Sequence, residues 1–290
     1  MAGRGRLNPD ASGADRYLVV GHPVAHSQSP WIHARFAART GQSMSYEALD
    51  VPPGAFQACL TRFFGEGGRG CNVTLPWKLH AYRLADRRTD RALRAGAVNT
   101  LALGPDGLLT GDNTDGAGLV KDLEARGGVP LAGSEILMLG AGGAARGCLG
   151  PLLAAGARRI TVANRTRSKA LALAERFGER VTGVGLDHIQ AAPDIVINAT
   201  AASLQGSVPE LPRPLLARNP LCYDMMYGAD DTPFVAWARR AGFPALDGLG
   251  MLVEQAAESF LLWRGVRPDT GDVLTELRNR LRHPSHGSGP

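Results

Sequence analysis

The amino-acid sequence predicts an α/β protein made of two α/β domains. The chain has 290 residues, which is enough for two domains of ordinary size. Short apolar runs that end in glycine or polar residues alternate with stretches whose apolar residues recur at helical spacing. In the second half, the strand-like runs and helical stretches follow the order of a doubly wound parallel sheet.

The first block of elements runs from Tyr17 to about Asp115. A helix is expected after the apolar run 17–20, because Ser29 is a favourable cap and Pro30 suits the first helical position. The turn-forming residues 104–107 lie between two short apolar runs, which predicts a hairpin. The other predicted elements are strands at 44–49, 70–73, 98–103 and 108–110, and helices at 55–64 and 90–95.

A helix at about 116–126 is expected to link the first block to the second. Two helices, at 251–263 and 272–281, follow the last strand, and we expect them to return to the first block. Residues 1–15 and 284–290 show no periodicity and are expected to be loose tails. The strands predicted in the second block lie near 135–139, 159–163, 194–198, 221–225 and 243–246.

The composition argues against several classes of protein. The net charge is +5, but 32 basic residues are scattered among 27 acidic ones, and aromatic residues make up only 6%. Since no stretch resembles a base-stacking platform, we expect anionic small molecules rather than nucleic acid as partners. No apolar run could span a bilayer and no signal peptide is visible, so a cytoplasmic protein without a membrane partner is predicted.

The cysteines are widely spaced along the chain. They form neither a pairing pattern nor a metal-ligand pattern, so we predict reduced core residues and no metal site. The four positions are Cys59, Cys71, Cys148 and Cys222.

A glycine-rich segment follows directly on the strand-like run 135–139 and predicts a dinucleotide site. Gly140 would allow a tight turn, Gly142 a close approach of backbone to pyrophosphate, and Ala145 close packing of helix on strand. Free N–H groups at the helix start would hold the phosphates. The alternative is a glycine loop that only closes a turn. The expected cofactor contacts here are Gly140, Ala141, Gly142, Gly143 and Ala144.

The end of the next predicted strand favours NADP over NAD. Asn164, Arg165 and Thr166 stand where a dinucleotide-binding unit normally presents a carboxylate to the adenosine ribose. A guanidinium and a hydroxyl favour a 2′-phosphate, which a carboxylate would repel. Arg167 and Lys169 add positive charge, although a solvated basic helix start also explains each of them taken singly.

Lys78 is the candidate acid–base group. It ends the segment Asn72-Val73-Thr74-Leu75-Pro76-Trp77-Lys78, which carries three polar groups from a strand end towards a helix. Hydride transfer between nicotinamide and a secondary alcohol needs a group that moves the hydroxyl proton, and lysine can serve. The alternative is a solvated surface lysine. Two more polar clusters, 97–100 and 111–116, lie at predicted strand ends, where open sheets bind ligands.

Six segments occur in a fixed order: His26-Ser27-Gln28-Ser29-Pro30, Asn72-Val73-Thr74 through Lys78, Gly96-Ala97-Val98-Asn99-Thr100, Gly111-Asp112-Asn113-Thr114-Asp115-Gly116, Asn164-Arg165-Thr166 and Asp247-Gly248-Leu249-Gly250-Met251. Together they resemble the shikimate dehydrogenase family, over about residues 16–281. The resemblance implies an N-terminal substrate domain and a Rossmann-like NADP-binding domain. It also implies NADPH-dependent reduction of 3-dehydroshikimate to shikimate, in the biosynthesis of chorismate and aromatic amino acids.

The resemblance assigns catalytic roles to Lys78 and Asp115. Lys78 would pass the proton to the carbonyl oxygen of the substrate. A nearby aspartate favours the charged amine whereas burial disfavours it, so Asp115 is expected chiefly to orient the amine and bind a substrate hydroxyl. Ser27 and Ser29 would hold the substrate carboxylate, with two helix-capping serines as the alternative.

Further residues match binding positions of the family. Thr74, Asn99 and Gln255 correspond to substrate-binding positions, and Tyr227 to one near the carboxylate. For Gln255 the alternative is a solvated side chain on an amphipathic helix. The remaining implied cofactor contacts are Thr200, Met225, Gly248 and Met251. The alternative for the two methionines is that they are simple core residues, and the alternative for Gly248 is that it only forms a tight turn.

Two positions depart from the family pattern. Ala201-Ala202-Ser203 stands where the family commonly has a glycine, which affects how closely the backbone approaches the cofactor there. Lys169 stands where many relatives have a second arginine. Because lysine lacks the two-pronged guanidinium, fewer paired hydrogen bonds to the phosphate are expected.

Three functions are compatible with the sequence. The leading one is an NADP-dependent shikimate dehydrogenase, acting as a monomer or homodimer on shikimate and 3-dehydroshikimate. The second is a quinate/shikimate or aminoshikimate dehydrogenase, and the third is a non-catalytic NADP-binding regulator. Residues 16–115 with 249–283 are expected to form the substrate-binding catalytic domain, and residues 116–248 the NADP-binding domain.

Overall fold

A computed structural model describes residues 13–190, 192–200, 211 and 213–283. Residues 1–12, the predicted tail 284–290 and the Ala201-Ala202-Ser203 segment lie outside this range. The predicted N-terminal tail is too long by one residue, because Asp15 opens the first strand and accepts a hydrogen bond from Arg69. No helix within the described ranges is both long enough and apolar enough to cross a bilayer.

The first block forms a mixed sheet. Its strands are β1 (Asp15–Gly21), β2 (Met44–Asp50), β3 (Gly68–Val73), β4 (Arg87–Arg88), β5 (Thr100–Leu103) and β6 (Leu109–Asp112). Its helices are α1 (Ser29–Thr40), α2 (Phe56–Gly65), α3 (Lys78–Leu84) and α4 (Asp90–Ala95). The strands lie in the order β2-β1-β3-β5-β6-β4, and β5 is antiparallel to both of its neighbours. The predicted hairpin between β5 and β6 is therefore confirmed.

The second block forms a parallel sheet. Its strands are β7 (Glu135–Leu139), β8 (Arg159–Asn164), β9 (Val181–Gly185), β10 (Ile195–Asn198), β11 (Leu221–Asp224) and β12 (Ala245–Asp247). Its helices are α5 (Asp115–Arg126), α6 (Gly143–Ala154), α7 (Arg167–Ala174) and α8 (Pro233–Arg240). The order β12-β11-β10-β7-β8-β9, with every pairing parallel, confirms the predicted doubly wound sheet. The winding reverses at β7, and such a point forms a crevice at the carboxyl ends of the strands.

Two C-terminal helices, α9 (Leu249–Arg264) and α10 (Gly271–Arg282), return to the first block. Ile32 and Phe36 of α1 share one hydrophobic cluster with Val253 and Phe260 of α9 and Leu277 of α10. All five side chains are fully buried. The predicted return of these helices is therefore confirmed.

Some local predictions were wrong. Helix α1 begins at Ser29 itself, Gln28 occupies the preceding position, and the Gln28 side chain does not cap the first turn. Pro30 is tolerated there because the early N–H groups of a helix have no intrahelical partner. Strands β4 and β9 were not predicted, since a two-residue strand and the sequence Val-Thr-Gly-Val-Gly show no apolar alternation.

The cysteines behave as predicted. Cys71, Cys148 and Cys222 are buried in hydrophobic clusters, and Cys59 is half-buried. All four are free thiols.

Helices α5 and α9 pack very closely, and glycine makes this possible. A Cβ atom at Gly118 would lie 2.6 Å from the backbone nitrogen of Gln255 and 2.8 Å from the carbonyl oxygen of Met251. Real side chains do not come so close to backbone atoms, so any larger residue at 118 would push the helices apart. Because α5 starts at Asp115, this packing also determines where Asp115 lies relative to Gln255.

Two carboxylates connect the second sheet to the surrounding helices. Asp122 of α5 accepts hydrogen bonds from Arg126, at 2.5 and 2.6 Å, and from the hydroxyl of Tyr223 in β11, at 2.6 Å. Asp247, at the end of β12, binds both terminal nitrogens of Arg278 from α10, at 2.5 and 2.6 Å. Burial, followed by the Asp122 charge, raises the pKa of Tyr223 well above its usual value, so its hydroxyl remains a donor.

The Arg278–Asp247 pair predicts a stability effect. Asp247 is only 7% exposed, so Arg278→Met would leave a carboxylate without its cation in a poorly solvated position. We expect the free energy of unfolding to fall by about 3 kcal/mol, measured by urea denaturation. Arg282→Met is the matched control, since Arg282 is exposed on the same helix and has no ion pair to any described residue. Equal midpoints for the two variants would contradict the role given to this pair.

Candidate active site

A cavity of about 400 Å³ lies between the two blocks. Its walls come from the loop after β1, the end of β3, the first residues of α3 and α5, the loop after β11, and α9. Every residue predicted to act in catalysis or bind substrate lines it: Ser27, Ser29, Thr74, Lys78, Asn99, Asp115, Tyr227 and Gln255. The structure thus brings together residues that lie as far apart as 27 and 255 in the sequence.

Lys78 and Asp115 form an ion pair in this cavity. The Nζ atom of Lys78 lies 2.5 Å from Oδ2 of Asp115, and the two side chains are 19% and 10% exposed. The alternative of a solvated surface lysine is therefore wrong. Each residue opens a helix, Lys78 after the buried Trp77 and Asp115 after Thr114. A helix start favours negative charge, which stabilises the Asp115 carboxylate beside the amine.

Asn99 orders the carboxylate side of the pair. Its Nδ2 atom donates to Oδ1 of Asp115 and to Oγ1 of Thr114, both at 2.8 Å, and lies 3.3 Å from Oε1 of Gln255. Its Oδ1 atom accepts from the backbone N–H of Thr114 at 2.8 Å. Because Asn99 is 3% exposed and both ends of its amide are used, its orientation is fixed.

Gln255 and Tyr227 also line the cavity. The amide nitrogen of Gln255 donates to the carbonyl of Leu252 at 2.8 Å, which directs its oxygen towards Asn99 and Thr114. The alternative of a solvated glutamine is therefore wrong. Burial raises the pKa of Tyr227, so its hydroxyl stays protonated and available as a donor.

Ser27 and Ser29 lie at the start of α1. The backbone N–H of Ser29 donates to the hydroxyl of Ser27 at 3.3 Å, so Ser27 satisfies the first N–H group of the helix. Ser29 is 6% exposed and Ser27 is half-buried, and both line the cavity together with Thr74. The capping alternative applies to Ser27, which also lines the cavity, but not to Ser29, which lies inside the helix.

Asn72 was missed as a site residue, although it opens the segment that ends at Lys78. It lines the cavity, accepts a hydrogen bond from the Tyr46 hydroxyl at 2.7 Å, and donates to Thr100 at 3.1 Å and Ser259 at 2.9 Å. An asparagine at the end of a buried strand was the available signal, since a buried amide needs partners. The partners come from β2, β5 and α9, which no local pattern reveals.

His33 packs against Tyr46, the hydrogen-bond partner of Asn72. Its ring stacks on that of Tyr46, with centroids 4.2 Å apart and an interplanar angle of 9°. The side chain is fully buried, and neither ring nitrogen has a hydrogen-bond partner among the described residues. Burial therefore lowers the pKa of His33 from 6.5 to about 3, which keeps the ring neutral.

The glycine loop lies at the carboxyl end of β7. Gly140 has φ +101°, a left-handed conformation that favours glycine, and a Cβ there would lie 3.0 Å from Cγ2 of Thr200. Cβ atoms at Gly142 and Gly143 would meet nothing within 4 Å, so open space lies in front of the backbone. Ala141 is buried and Ala144 packs on the core, which leaves only backbone groups facing outward. The cap residue of α6 is Gly142, which has no side chain, and no described side chain binds the first N–H groups of the helix, so they can hold phosphate oxygens.

The end of β8 carries the residues that were predicted to contact the adenosine ribose of the cofactor. Arg165, Thr166 and Lys169 are exposed, and Arg165 has no ion pair with any described residue. The amide of Asn164 donates to the carbonyl of Thr166 at 2.9 Å, which fixes this turn. A guanidinium without an ion pair among the described residues, beside a hydroxyl, fits a 2′-phosphate.

The other predicted cofactor residues connect this edge to the cavity. The Thr200 hydroxyl donates to Oδ1 of Asn198 at 2.7 Å, and the Asn198 amide donates to Asp224 at 3.1 Å. These contacts fix the ends of β10 and β11 next to the glycine loop. Further along the edge, Met225, Gly248 and Met251 line the cavity itself. Both methionines are also part of the core, so the core alternative and the site prediction are compatible.

A glycine loop at the edge of a parallel sheet, beside a polar cavity with a lysine–aspartate pair, is the arrangement of a two-domain nucleotide-dependent oxidoreductase. Three family models match the chain. They describe a shikimate dehydrogenase substrate binding domain at residues 19–101, a shikimate/quinate 5-dehydrogenase at 123–206, and a shikimate 5′-dehydrogenase C-terminal domain at 248–278. The chain belongs to the shikimate dehydrogenase family, which confirms the prediction from the six motifs.

Similar proteins agree along almost the whole chain. A curated relative from Aromatoleum aromaticum, named shikimate dehydrogenase (NADP(+)), is 57% identical over 274 residues, covering 92% of this chain and 98% of its own. The crystal structure of an Ael1 enzyme from Pseudomonas putida has a TM-score of 0.86 at 45% identity, covering 91% and 98%. A shikimate 5-dehydrogenase from Thermus thermophilus, solved with NADP(H) and shikimate, has a TM-score of 0.81 at 39% identity, covering 92% and 99%. The predicted fold class is therefore confirmed.

The buried His33 predicts a pH effect on stability. Its pKa is lower in the folded chain, so the unfolded chain binds the extra proton first as the pH falls. The contribution of His33 is complete above pH 6.5 and declines towards pH 3, by about 1.4 kcal/mol per pH unit. We expect His33→Phe, which keeps the stack on Tyr46, to show a correspondingly shallower loss of unfolding free energy between pH 6.5 and pH 4. His283→Asn, at an exposed histidine, is the control, and parallel curves for all three proteins would contradict this account.

Proposed function

We propose that this chain is an NADP-dependent shikimate dehydrogenase, which interconverts 3-dehydroshikimate and shikimate. The observation that carries the proposal is the Lys78–Asp115 ion pair in a cavity lined by uncharged donors and acceptors. Such a lining suits a substrate with several hydroxyl groups. The names of the relatives, and the NADP(H) and shikimate in the Thermus enzyme, support the same substrate and cofactor.

In this proposal, Lys78 moves the proton of the reacting oxygen. NADPH, when bound, supplies the hydride. The ammonium group of Lys78 donates a proton to the substrate carbonyl oxygen during reduction, and the neutral amine accepts it back during oxidation. Asp115 holds the amine in place through Oδ2, while Asn99 fixes Oδ1. Asp115 also accepts a hydrogen bond from a neighbouring substrate hydroxyl.

The substrate carboxylate is assigned to the wall formed by Ser27, Ser29 and Tyr227. Three hydroxyl groups bind a carboxylate without an arginine, because each of them can donate a hydrogen bond to it. Thr74, Asn99 and Gln255 are assigned to the ring hydroxyls. The domain limits, 16–115 with 249–283 for substrate and 116–248 for NADP, belong to the same proposal, as do the cytoplasmic location and the monomeric or dimeric state.

A quinate/shikimate or aminoshikimate dehydrogenase would share these parts and differ in the ring substituent that the cavity accepts. The decisive assay compares shikimate and quinate, each with NADP⁺ and NAD⁺, on one preparation of the protein. We expect kcat/KM to be highest for shikimate with NADP⁺. Preferred turnover of quinate would replace the proposal by this alternative, and no turnover of any pair would refute it.

Lys78→Ala tests the catalytic role of the lysine. Since the variant lacks the proton-transfer group, we expect kcat to fall by about 10²- to 10⁴-fold while NADPH binding is unchanged. Steady-state kinetics and fluorescence titration of NADPH measure the two quantities. Arg83→Ala, an exposed residue of the same helix, should keep wild-type kcat. If Lys78→Ala turned over like Arg83→Ala, the role of Lys78 would be wrong and the non-catalytic regulator would become the better interpretation.

Arg165→Met tests the assignment of NADP. Loss of the guanidinium should raise KM for NADP⁺ by at least about tenfold, because a charge-assisted contact to the 2′-phosphate disappears. KM for NAD⁺, which lacks that phosphate, should stay within about twofold. Arg159→Met, at the other end of β8, is the matched control. An equal change for both cofactors would mean that Arg165 does not contact the 2′-phosphate.

A further inference from the structure

A second cleft, of about 510 Å³, lies between α4 of the first block and α5 and α6 of the second. It shares no lining residue with the active-site cavity. Arg94 of α4 and Arg146 of α6 contribute to its walls from the two blocks. A ligand here would therefore contact both blocks without entering the active-site cavity.

Most charged groups of this cleft are neutralised within the protein. Arg91 binds Asp112, at 2.6 Å, and Glu258, at 3.1 Å. Lys121 pairs with Glu124 at 3.7 Å. Arg94 and Arg146 differ, because neither side chain has a hydrogen bond or ion pair with any residue that the structure describes. Asp90, the remaining acidic group, is exposed in the first turn of α4, where the helix start itself stabilises its charge.

Arg146 is the more unusual of the two free cations. Its Nε atom is shielded from solvent and has no hydrogen-bond partner among the described atoms. Burial lowers the pKa of Arg146, and the positive charge of Arg176 acts in the same direction. Guanidinium donors that are withdrawn from water normally have an acceptor, since an unmatched donor is costly. An oxyanion on the terminal nitrogens of Arg146 would supply a counter-charge and would relieve the repulsion from Arg176.

Arg94 lies against the same face of α6. Its Cδ atom is 3.7 Å from the position that a Cβ would take at Gly150, and Gly150 lies one helical turn after Arg146. Residues four apart on a helix share one face, so the Arg94 stem and the Arg146 side chain are neighbours. Small and apolar residues complete the lining: Ala117, Val120, Gly150, Pro151, Ala154 and Ala155.

We propose that this cleft binds a small amphipathic oxyanion, in which a carboxylate or phosphate is joined to an apolar ring or short chain. Arg146 and Arg94 bind the charged group through their planar forks. The apolar body lies against Val120 and Pro151. The bound anion bridges α4 and α6, so it holds the two blocks together at a point away from the catalytic residues.

Isothermal titration of the full chain tests this site, with phenyl phosphate, benzoate and inorganic phosphate as probes. Each titration is run with and without saturating NADPH, because phosphates also bind at a cofactor edge. We expect one saturable site for phenyl phosphate or benzoate that persists with NADPH, with a dissociation constant of about 1 mM or tighter. The two probes distinguish a phosphate from a carboxylate ligand. Inorganic phosphate, which has no apolar body, should bind more weakly.

Variants assign the binding to the two arginines. Arg146→Met and Arg94→Met should each weaken binding at least about tenfold, while Arg240→Met, at an exposed arginine of α8, should not. Arg146→Lys keeps the charge but loses the fork, and should be intermediate. Thermal unfolding of each variant verifies that it is folded, and added ligand should raise Tm for the wild type.

Three results would overturn the proposal: no saturable site in the presence of NADPH, unchanged binding in both methionine variants, or equal weakening in Arg240→Met. Because the measurement is binding rather than turnover, it stands apart from the proposed dehydrogenase activity. A chain without that activity could still show this site, and an active one could lack it.

Discussion

The close packing of α5 on α9 is the constraint on which the site depends. Gly118 allows the two helices to approach, and the start of α5 then brings Asp115 near Gln255. Lys78 reaches the same point from the start of α3. The buried Trp77 precedes it, and the Trp77 indole N–H donates a hydrogen bond to the carbonyl oxygen of Val51, which holds the start of the helix. The positions of Lys78 and Asp115 are therefore set first by where their helices begin, and the hydrogen bonds around them then fix the side chains.

The polar groups of the cavity are organised because burial leaves them little choice. Asn99 and Asn72 are 3% and 6% exposed, and each amide uses both its donor and its acceptor. A buried amide that rotated away would lose several hydrogen bonds at once, with no water to replace them. The network therefore holds Asp115 in one position before any substrate arrives, which avoids reorganisation during the reaction.

Sequence patterns predicted the elements well where they are long and apolar, as in β7 and α9. They failed where a long-range contact decides the outcome. Strand β9 carries two glycines and exists because β8 lies beside it. Gln255 looks like a solvated helical residue, and only its approach to Asn99 shows that it faces the cavity. The six motifs identified most of the cavity, but Asn72 was missed because its partners come from β2, β5 and α9.

Arg165 and Arg146, at the two proposed ligand surfaces, differ from the arginines whose charge is balanced by a buried carboxylate. Arg278 and Arg126 each bind a carboxylate that is almost fully buried, so their charge is already balanced. Arg165, at the end of β8, has no such partner within the described chain, and neither has Arg146. Water solvates the exposed Arg165 before its phosphate binds, whereas the Nε of Arg146 is hidden even from water. By this comparison a ligand on the terminal nitrogens of Arg146 would balance a charge that is partly withdrawn from water, whereas the charge of Arg165 is already solvated.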